Sequence, residues 1–344
     1  MRTSVRRFVV AFLIAGALPL AASVPSICAV VYVDCDNVSG QEDGTPEHPF
    51  RLISSGMAAA TFGDTVLVMP GTYSLPVDMK DGVCLLGAEG PDSTVIHTVG
   101  SMAAVYFESC GPATTLSGFT IFRAGIVWDW AVAIWCEGSS PDIVGNVTLP
   151  PEGQIYCTTG SNPKVCQNTV GSPGVAFARG SGGVVSGNLI EGCVGIEAIS
   201  VPCLPLLVED NEICGDSRPW DDAGIRVEWV TSGDIQIVNN TIRDKEVGAL
   251  LCFGELRGNR FLNNDLNVKV KQYCETRREI MAEMNWWGTT DPGEVAAKIL
   301  DCVDDPAIPG CVDYEPWCMD PGCTQSPVEA RSWGSIKSLY APGQ

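Results

Sequence analysis

Basic residues and histidine are what this chain has least of. Its 344 residues include 21 Lys plus Arg against 41 Asp plus Glu, and two histidines, His48 and His97. A formal net charge of −20 leaves no electropositive footprint, so no nucleic-acid partner is expected. The same balance repels polyanions such as pectate unless a metal intervenes. Charged residues of both signs make up 18% of the chain, below the roughly 25% usual for soluble domains. There is no CxxC pair, and two histidines are too few for the common zinc sites, so zinc is excluded as the reason for the cysteines.

What is present begins with an address. "MRTSVRR" is a basic n-region, and "FVVAFLIAGALPLAASV" is an apolar h-region. Ala21, Ser23 and Ala29 follow as cleavage-site neighbours, so residues 1–29 read as a secretory signal peptide. Pro19 interrupts the apolar run and no basic stop-transfer segment follows, so a membrane span is not expected. Ile27 stands before Cys28 where a lipid-anchored protein needs a small residue. The expected location is secreted or cell-surface. In that oxidising setting the 16 cysteines read as a disulfide framework, with one thiol left over if cleavage removes Cys28.

Glycine is abundant, with 37 residues, which suits a β-rich chain with many turns. One small beat recurs: Gly118-Phe119, then Asn146, Asn168, Asn188, Asn211, Asn240, Asn259 and Asn285, each followed by apolar residues. Spacings of about 19 to 29 residues with strand-like content are the mark of a solenoid. Leucine-rich repeats share the period, but their leucine consensus is missing. In a parallel β-helix each turn of chain stacks a strand on the equivalent strand of the turn before, about 4.8 Å away. Asn stacked on Asn then forms an amide ladder, and Asn tolerates a left-handed turn. Asn146 and Asn239 also begin glycosylation sequons, but the ladder is the first reading.

A second register follows each beat: "AAVYFES", "AVAIWCE", "EGQIYCT", "PGVAFAR", "VGIEAIS", "AGIRVEW" and "VGALLCF". Aligned, these windows place Phe107, Trp135, Tyr156 and Phe177 in one inward column, an internal aromatic ladder. They place Ile134 and Ile155 outward, and Glu197 beside Arg226 as an exposed ion pair. They also stack Cys136 on Cys157, predicting a rung-to-rung disulfide. Cys302–Cys311 and Cys318–Cys323 are the expected local bridges.

The ends of a solenoid need covers. Residues 51–61 have helical composition, and Asp291, Pro292 and Glu294 supply an N-cap, a first helical residue and a capping box. The expected organisation is therefore a leader at 1–29, an N-terminal cap and first rung at 30–75, and β-helix repeats at 76–287. A Cys-rich C-terminal cap at 288–323 and a linker and tail at 324–344 complete it. Trp333, Ile336, Leu339 and Tyr340 fall at helical spacing in that tail, which reads as a frayed terminus or a docking or sorting segment.

These segments carry a resemblance. "YVDCDNVSGQEDGTPEHPFRLISSGMAAATFGDTVLVMPGTY", with "NWWGTTDP" and "VDYEPW" near the other end, resembles bacterial secreted right-handed β-helix proteins of the pectin-lyase-like class. The tail "SWGSIKSLY" is similar to a short terminal motif on other bacterial secreted proteins. The resemblance implies an all-β, right-handed parallel β-helix solenoid with short capping helices at both ends. It also implies what an active member shows: calcium-binding Asp clusters with a basic residue in the lyases, and clustered Asp with Gly-His-Gly in the hydrolases. This chain has no Gly-His-Gly.

The candidate carboxylates are Asp222, Glu228 and Asp129, flanked by the candidate sugar-stacking residues Trp220, Trp128 and Trp130. Two carboxylates across a groove are what glycoside hydrolysis needs. Asp34, Asp36 and Asp43, before Gly44, are candidate ligands for calcium. The plainer reading of that loop is a solvated one tethered by a disulfide through Cys35. The expected function is a structural, surface or carbohydrate-recognition role for a monomeric exported protein, with a polysaccharide or cell-surface glycan as partner. The alternative is a polysaccharide lyase or glycoside hydrolase working on the outer face of the helix.

Overall fold

The computed structural model describes residues 28–125, 132–199, 204–215, 222–229, 234–272, 274 and 279–323. Residues 1–27 of the expected leader, Trp128, Asp129, Trp130, Trp220 and the C-terminal tail lie outside these residues. Each coil of chain lays down three short strands, one on each of three sheets. Thr115–Ser117, Thr120–Ala124 and Val132–Glu137 form one such coil; Asp142–Val144, Val147–Thr148 and Ile155–Thr158 form the next. The sheets hold twelve, ten and nine strands, and neighbouring strands pair in parallel throughout. The result is a parallel β-helix whose core consists of stacked aliphatic rows. One row runs Val105, Ile134, Ile155, Val175, Ile196, Ile225, all in register and buried. Burying each such side chain contributes about 1.5–3 kcal/mol.

The recurring Asn forms the expected ladder. From Asn146 through Asn168, Asn188, Asn211, Asn240 and Asn259 to Asn285, each backbone N–H donates to the next rung's Oδ1 at 2.8–3.0 Å. Each Nδ2 donates to that same oxygen and to a carbonyl, as Asn211 does to Val185 at 2.8 Å. Phe119 closes the ladder, its N–H donating to Asn146. The left-handed backbone belongs to the residue before each Asn, among them Gln167, Gly187, Asp210 and Met284. The Asn supplies the amide and its predecessor supplies the turn. Asn146 is 1% exposed, so its sequon is spent on the ladder, whereas Asn239 is exposed. A shorter ladder of Ser139, Ser161 and Ser181 serves another corner and was not foreseen.

The columns on the ten-stranded sheet need one correction. Trp135 pairs with Tyr106 and Tyr156, and Cys136 with Phe107 and Cys157. Two windows had therefore slipped by one residue, which exchanges the faces of a strand. Ile134 and Ile155 point inward, and Trp135 and Tyr156 point outward. There is no internal aromatic ladder of Phe107, Trp135, Tyr156 and Phe177.

Cysteine pairing also differs. Cys302–Cys311 and Cys318–Cys323 are bonded as expected, and Cys252 bonds Cys274. Cys136 and Cys157 remain two buried thiols, because in-register partners on parallel strands project side by side. Cys35 is a free thiol too, so no disulfide tethers its loop.

Both ends are covered. Helix α1, Ile53–Ala59, buries Ile53, Gly56 and Met57 across the first rung. A Cβ on Gly56 would lie 2.6 Å from Val33, which is why the helix can approach so closely. Helix α2, Pro292–Ala296, is capped by Asp291, whose carboxylate accepts from Gly293 and Glu294. Glu294 meets the Thr289 hydroxyl at 2.5 Å rather than completing a capping box. No helix among the described residues is long and apolar enough to cross a membrane.

Candidate functional site

The outer face of the ten-stranded sheet gathers the most chemistry. Alternate residues of its strands point outward, and the register lines them into two rows. The first runs Asp78, Tyr106, Trp135, Tyr156, Ala176, Glu197, Arg226, Leu250, Lys269. The second holds Glu108, Glu137 and Thr158 at one end and Ile199 and Glu228 further along.

One half of this face is aromatic. Trp135 and Tyr156 pack with ring centroids 4.9 Å apart and planes tilted by 44°, and Tyr106 holds the register position beside Trp135 on the neighbouring strand. All three are half-buried, so part of each ring faces solvent. The Tyr106 hydroxyl accepts from the Ala103 N–H at 2.7 Å, which fixes that ring.

The other half is a knot of paired charges. Arg226 reaches Glu197 at 3.3 Å through a terminal nitrogen and Glu228 at 3.7 Å through Nε. Glu228 also contacts Lys271. The Arg226 and Glu197 side chains are only 10% and 17% exposed, so this pair is not the exposed one expected. Burial raises the Glu197 carboxyl above the ordinary glutamate range; Arg226 pulls the other way and the Glu228 charge reinforces the rise. Two carboxyls thus flank one guanidinium, one of them inclined to keep its proton.

The candidate residues fare differently. Glu228 sits in the outward knot. Asp222 is 4% exposed and turned inward, its carboxylate held by Lys245 at 3.0 Å and by the Glu246 N–H at 3.0 Å. Its work is to neutralise a fully buried lysine, which leaves it no oxygen for a substrate. The neighbouring Arg243 is equally committed, to Glu212 at 2.7 Å and Asp244 at 2.7 Å. Asp34 and Asp36 lie with Cys35 in one cluster, their ligand atoms within 4.8 Å of one another. Asp43 is apart, accepting from the Thr45 hydroxyl at 2.7 Å, and this bond lowers its carboxyl below the usual range.

Sequence reasoning missed Glu197 as a site residue and the outward role of Trp135 and Tyr156. Their signal was the register itself. Two clefts, of about 450 and 530 Å³, lie at the caps; Arg51, Tyr73 and Leu75 help line the first, and Asp301, Asp304 and Tyr314 the second. The first also brings Glu42 beside Arg51, and the second adds the carboxylates of Glu279, Asp313 and Glu315.

Comparison with known proteins speaks to the fold. No protein-family model matches the chain, and no curated protein does. Among solved structures it is similar to the GH136 lacto-N-biosidase from Eubacterium ramulus, with TM-score 0.52 and 13% identity over 84% of this chain and 67% of that one. A pectin methylesterase in complex with a hexasaccharide gives TM-score 0.43 and 12% identity, covering 62% of this chain and 78% of that one. The fold is that of the right-handed parallel β-helix. At these identities the likeness extends no further than the fold, which is the one the resemblance of the N-terminal segment implied.

Proposed function

We propose that this chain is an exported glycan-recognition protein that lays a saccharide along the outer face of its ten-stranded sheet. The observation that carries this reading is the outward row of Tyr106, Trp135 and Tyr156 on consecutive strands, with Trp135 packed on Tyr156. Aromatic faces offer rigid apolar surface to the apolar face of a pyranose, with polar tips left for hydroxyls. Rungs about 4.8 Å apart repeat that surface along the sheet. The occurrence of this fold in a lacto-N-biosidase agrees with a saccharide ligand.

A second reading rests on the charge knot. Glu197, its carboxyl raised by burial, and Glu228 on the next strand offer the two carboxyls that a glycoside hydrolase uses. Glu197 would protonate the glycosidic oxygen while Glu228 serves as base or nucleophile. A lyase is the weaker variant of this reading, since Arg226 and Lys271 are already engaged by carboxylates.

One screen separates these readings. The purified chain is tested on a glycan array and against polysaccharides for new reducing ends or unsaturated products. It is run with and without calcium, for which Asp34 and Asp36 are the candidate ligands. Binding without products, lost in Trp135→Ala and kept in Leu207→Ala on another sheet, is the expected result. Binding unchanged in Trp135→Ala would overturn the recognition reading. Products that vanish in Glu197→Gln and Glu228→Gln would establish the enzyme instead.

A further inference from the structure

The two halves of the outward face treat their carboxylates differently. In the knot every acid has a cation: Glu197 has Arg226, and Glu228 has both Arg226 and Lys271. Around the aromatic stack none does. Asp78 begins the aromatic row itself, and Glu108 and Glu137 sit directly opposite one another in the adjoining row. All three are exposed, and among the described residues no Lys or Arg forms an ion pair with any of them. Lys80, two residues after Asp78, turns away to the carbonyl of Ala60 at 2.5 Å. The Glu137 carboxylate meets the Thr159 hydroxyl at 3.5 Å. Asp81 adds a further acid nearby, its carboxylate held by the Gly111 N–H at 2.7 Å. Arg179 is exposed two rungs from Glu137.

Like charges directly opposite on paired strands cost stability. Here that cost is kept beside exposed aromatic rings, whose faces are themselves attractive to cations. Both features select the same ligand charge. A uronate meets repulsion from three carboxylates, and a neutral pyranose gains only the stacking. A sugar bearing a protonated amine gains the stacking, the cation–π attraction and one or two charge-assisted hydrogen bonds.

Resting on the recognition reading above, we infer that the ligand is an amine-bearing saccharide, of the deacetylated amino-sugar class. Trp135 and Tyr156 hold the ring, and Glu108 and Glu137, with Asp78, hold the ammonium groups. The neutralised knot then marks where the selective part of the face ends.

Calorimetry at physiological salt tests this with three probes: glucosamine oligosaccharides, their fully N-acetylated counterparts, and oligogalacturonate. The glucosamine oligomers are expected to bind tightest and oligogalacturonate not at all. Glu108→Gln combined with Glu137→Gln should weaken glucosamine binding at least about tenfold, with acetylated binding unchanged. The control pair Glu47→Gln with Glu255→Gln, exposed and away from this face, makes the same change in net charge. It should leave both affinities as they were. Equal binding of the amine and acetylated oligomers overturns the inference, and so does equal weakening by the control pair. Neither outcome touches the recognition reading, which fails separately if Trp135→Ala leaves every probe's affinity intact.

Discussion

Asn211 shows how much one side chain can carry in a solenoid. Its Oδ1 accepts from the backbone and side chain of Asn188, and its Nδ2 donates to Val185 and Asn240. Truncation to Ala strands an N–H on one rung and a carbonyl on another, both away from water. At about 1–3 kcal/mol for each buried unpaired group, Asn211→Ala should cost about 3 kcal/mol in urea denaturation. Asn162→Ala, at an exposed position, should stay within about 0.5 kcal/mol of the parent. Equal losses would mean the ladder adds nothing. Glu197 makes the opposite kind of case. Its folded-state pKa is raised, so just above the ordinary glutamate range the folded chain keeps a proton that the unfolded chain has lost. Stability contributed by that proton is present at low pH and falls as pH rises through the raised value. Glu197→Gln cannot titrate. Its stability relative to the parent should therefore climb with pH across that window, and parallel profiles would show that the carboxyl is not perturbed.

At the level of the strand, the same sequence was both legible and misleading. The Asn period announced the coils, and Asp291-Pro292 announced a helix start, because each has one dominant physical meaning. Register on the ten-stranded sheet was different. Buried parallel strands are apolar on nearly every position, so alternation does not tell inside from outside. In "AVAIWCE" either phase puts apolar residues in the core, and Ala133 is buried along with Ile134. Choosing the wrong phase hid the aromatic platform, since Trp135 and Tyr156 were assigned to the core. Glu197 was read as surface because its burial depends on Arg226 and Glu228 closing over it from the next strand. Ile155→Ala should therefore cost about 2–5 kcal/mol, as a cavity in the core does. Tyr156→Ala, one residue along, should cost less stability and more glycan affinity. The reverse ranking of stability would restore the slipped register.

Over the whole molecule, the cross-links are unevenly spread. Among the described residues the three disulfides lie between Cys252 and Cys323, at the C-terminal end, while the nine thiols lie between Cys28 and Cys214. Middle rungs have stacked neighbours on both sides, so ladders and aliphatic rows hold them without covalent help. The last rungs have a neighbour on one side only, and there the bonds tie Cys252 to Cys274 and close the Cys302–Cys311 and Cys318–Cys323 loops. Burial raises the pKa of the Cys110 and Cys136 thiols, which removes the thiolate that oxidation and alkylation require. Iodoacetamide applied to the folded chain should therefore label part-exposed Cys35 and Cys84 and spare buried Cys110, Cys136 and Cys157. Unfolding in guanidinium without reductant should open those three to labelling, while the six bonded cysteines stay protected until dithiothreitol is added. Peptide mapping reads both steps. If Cys136 and Cys157 resist until the reductant, they are bridged across rungs in the native protein. The middle of the solenoid would then need the covalent support that its stacking otherwise supplies.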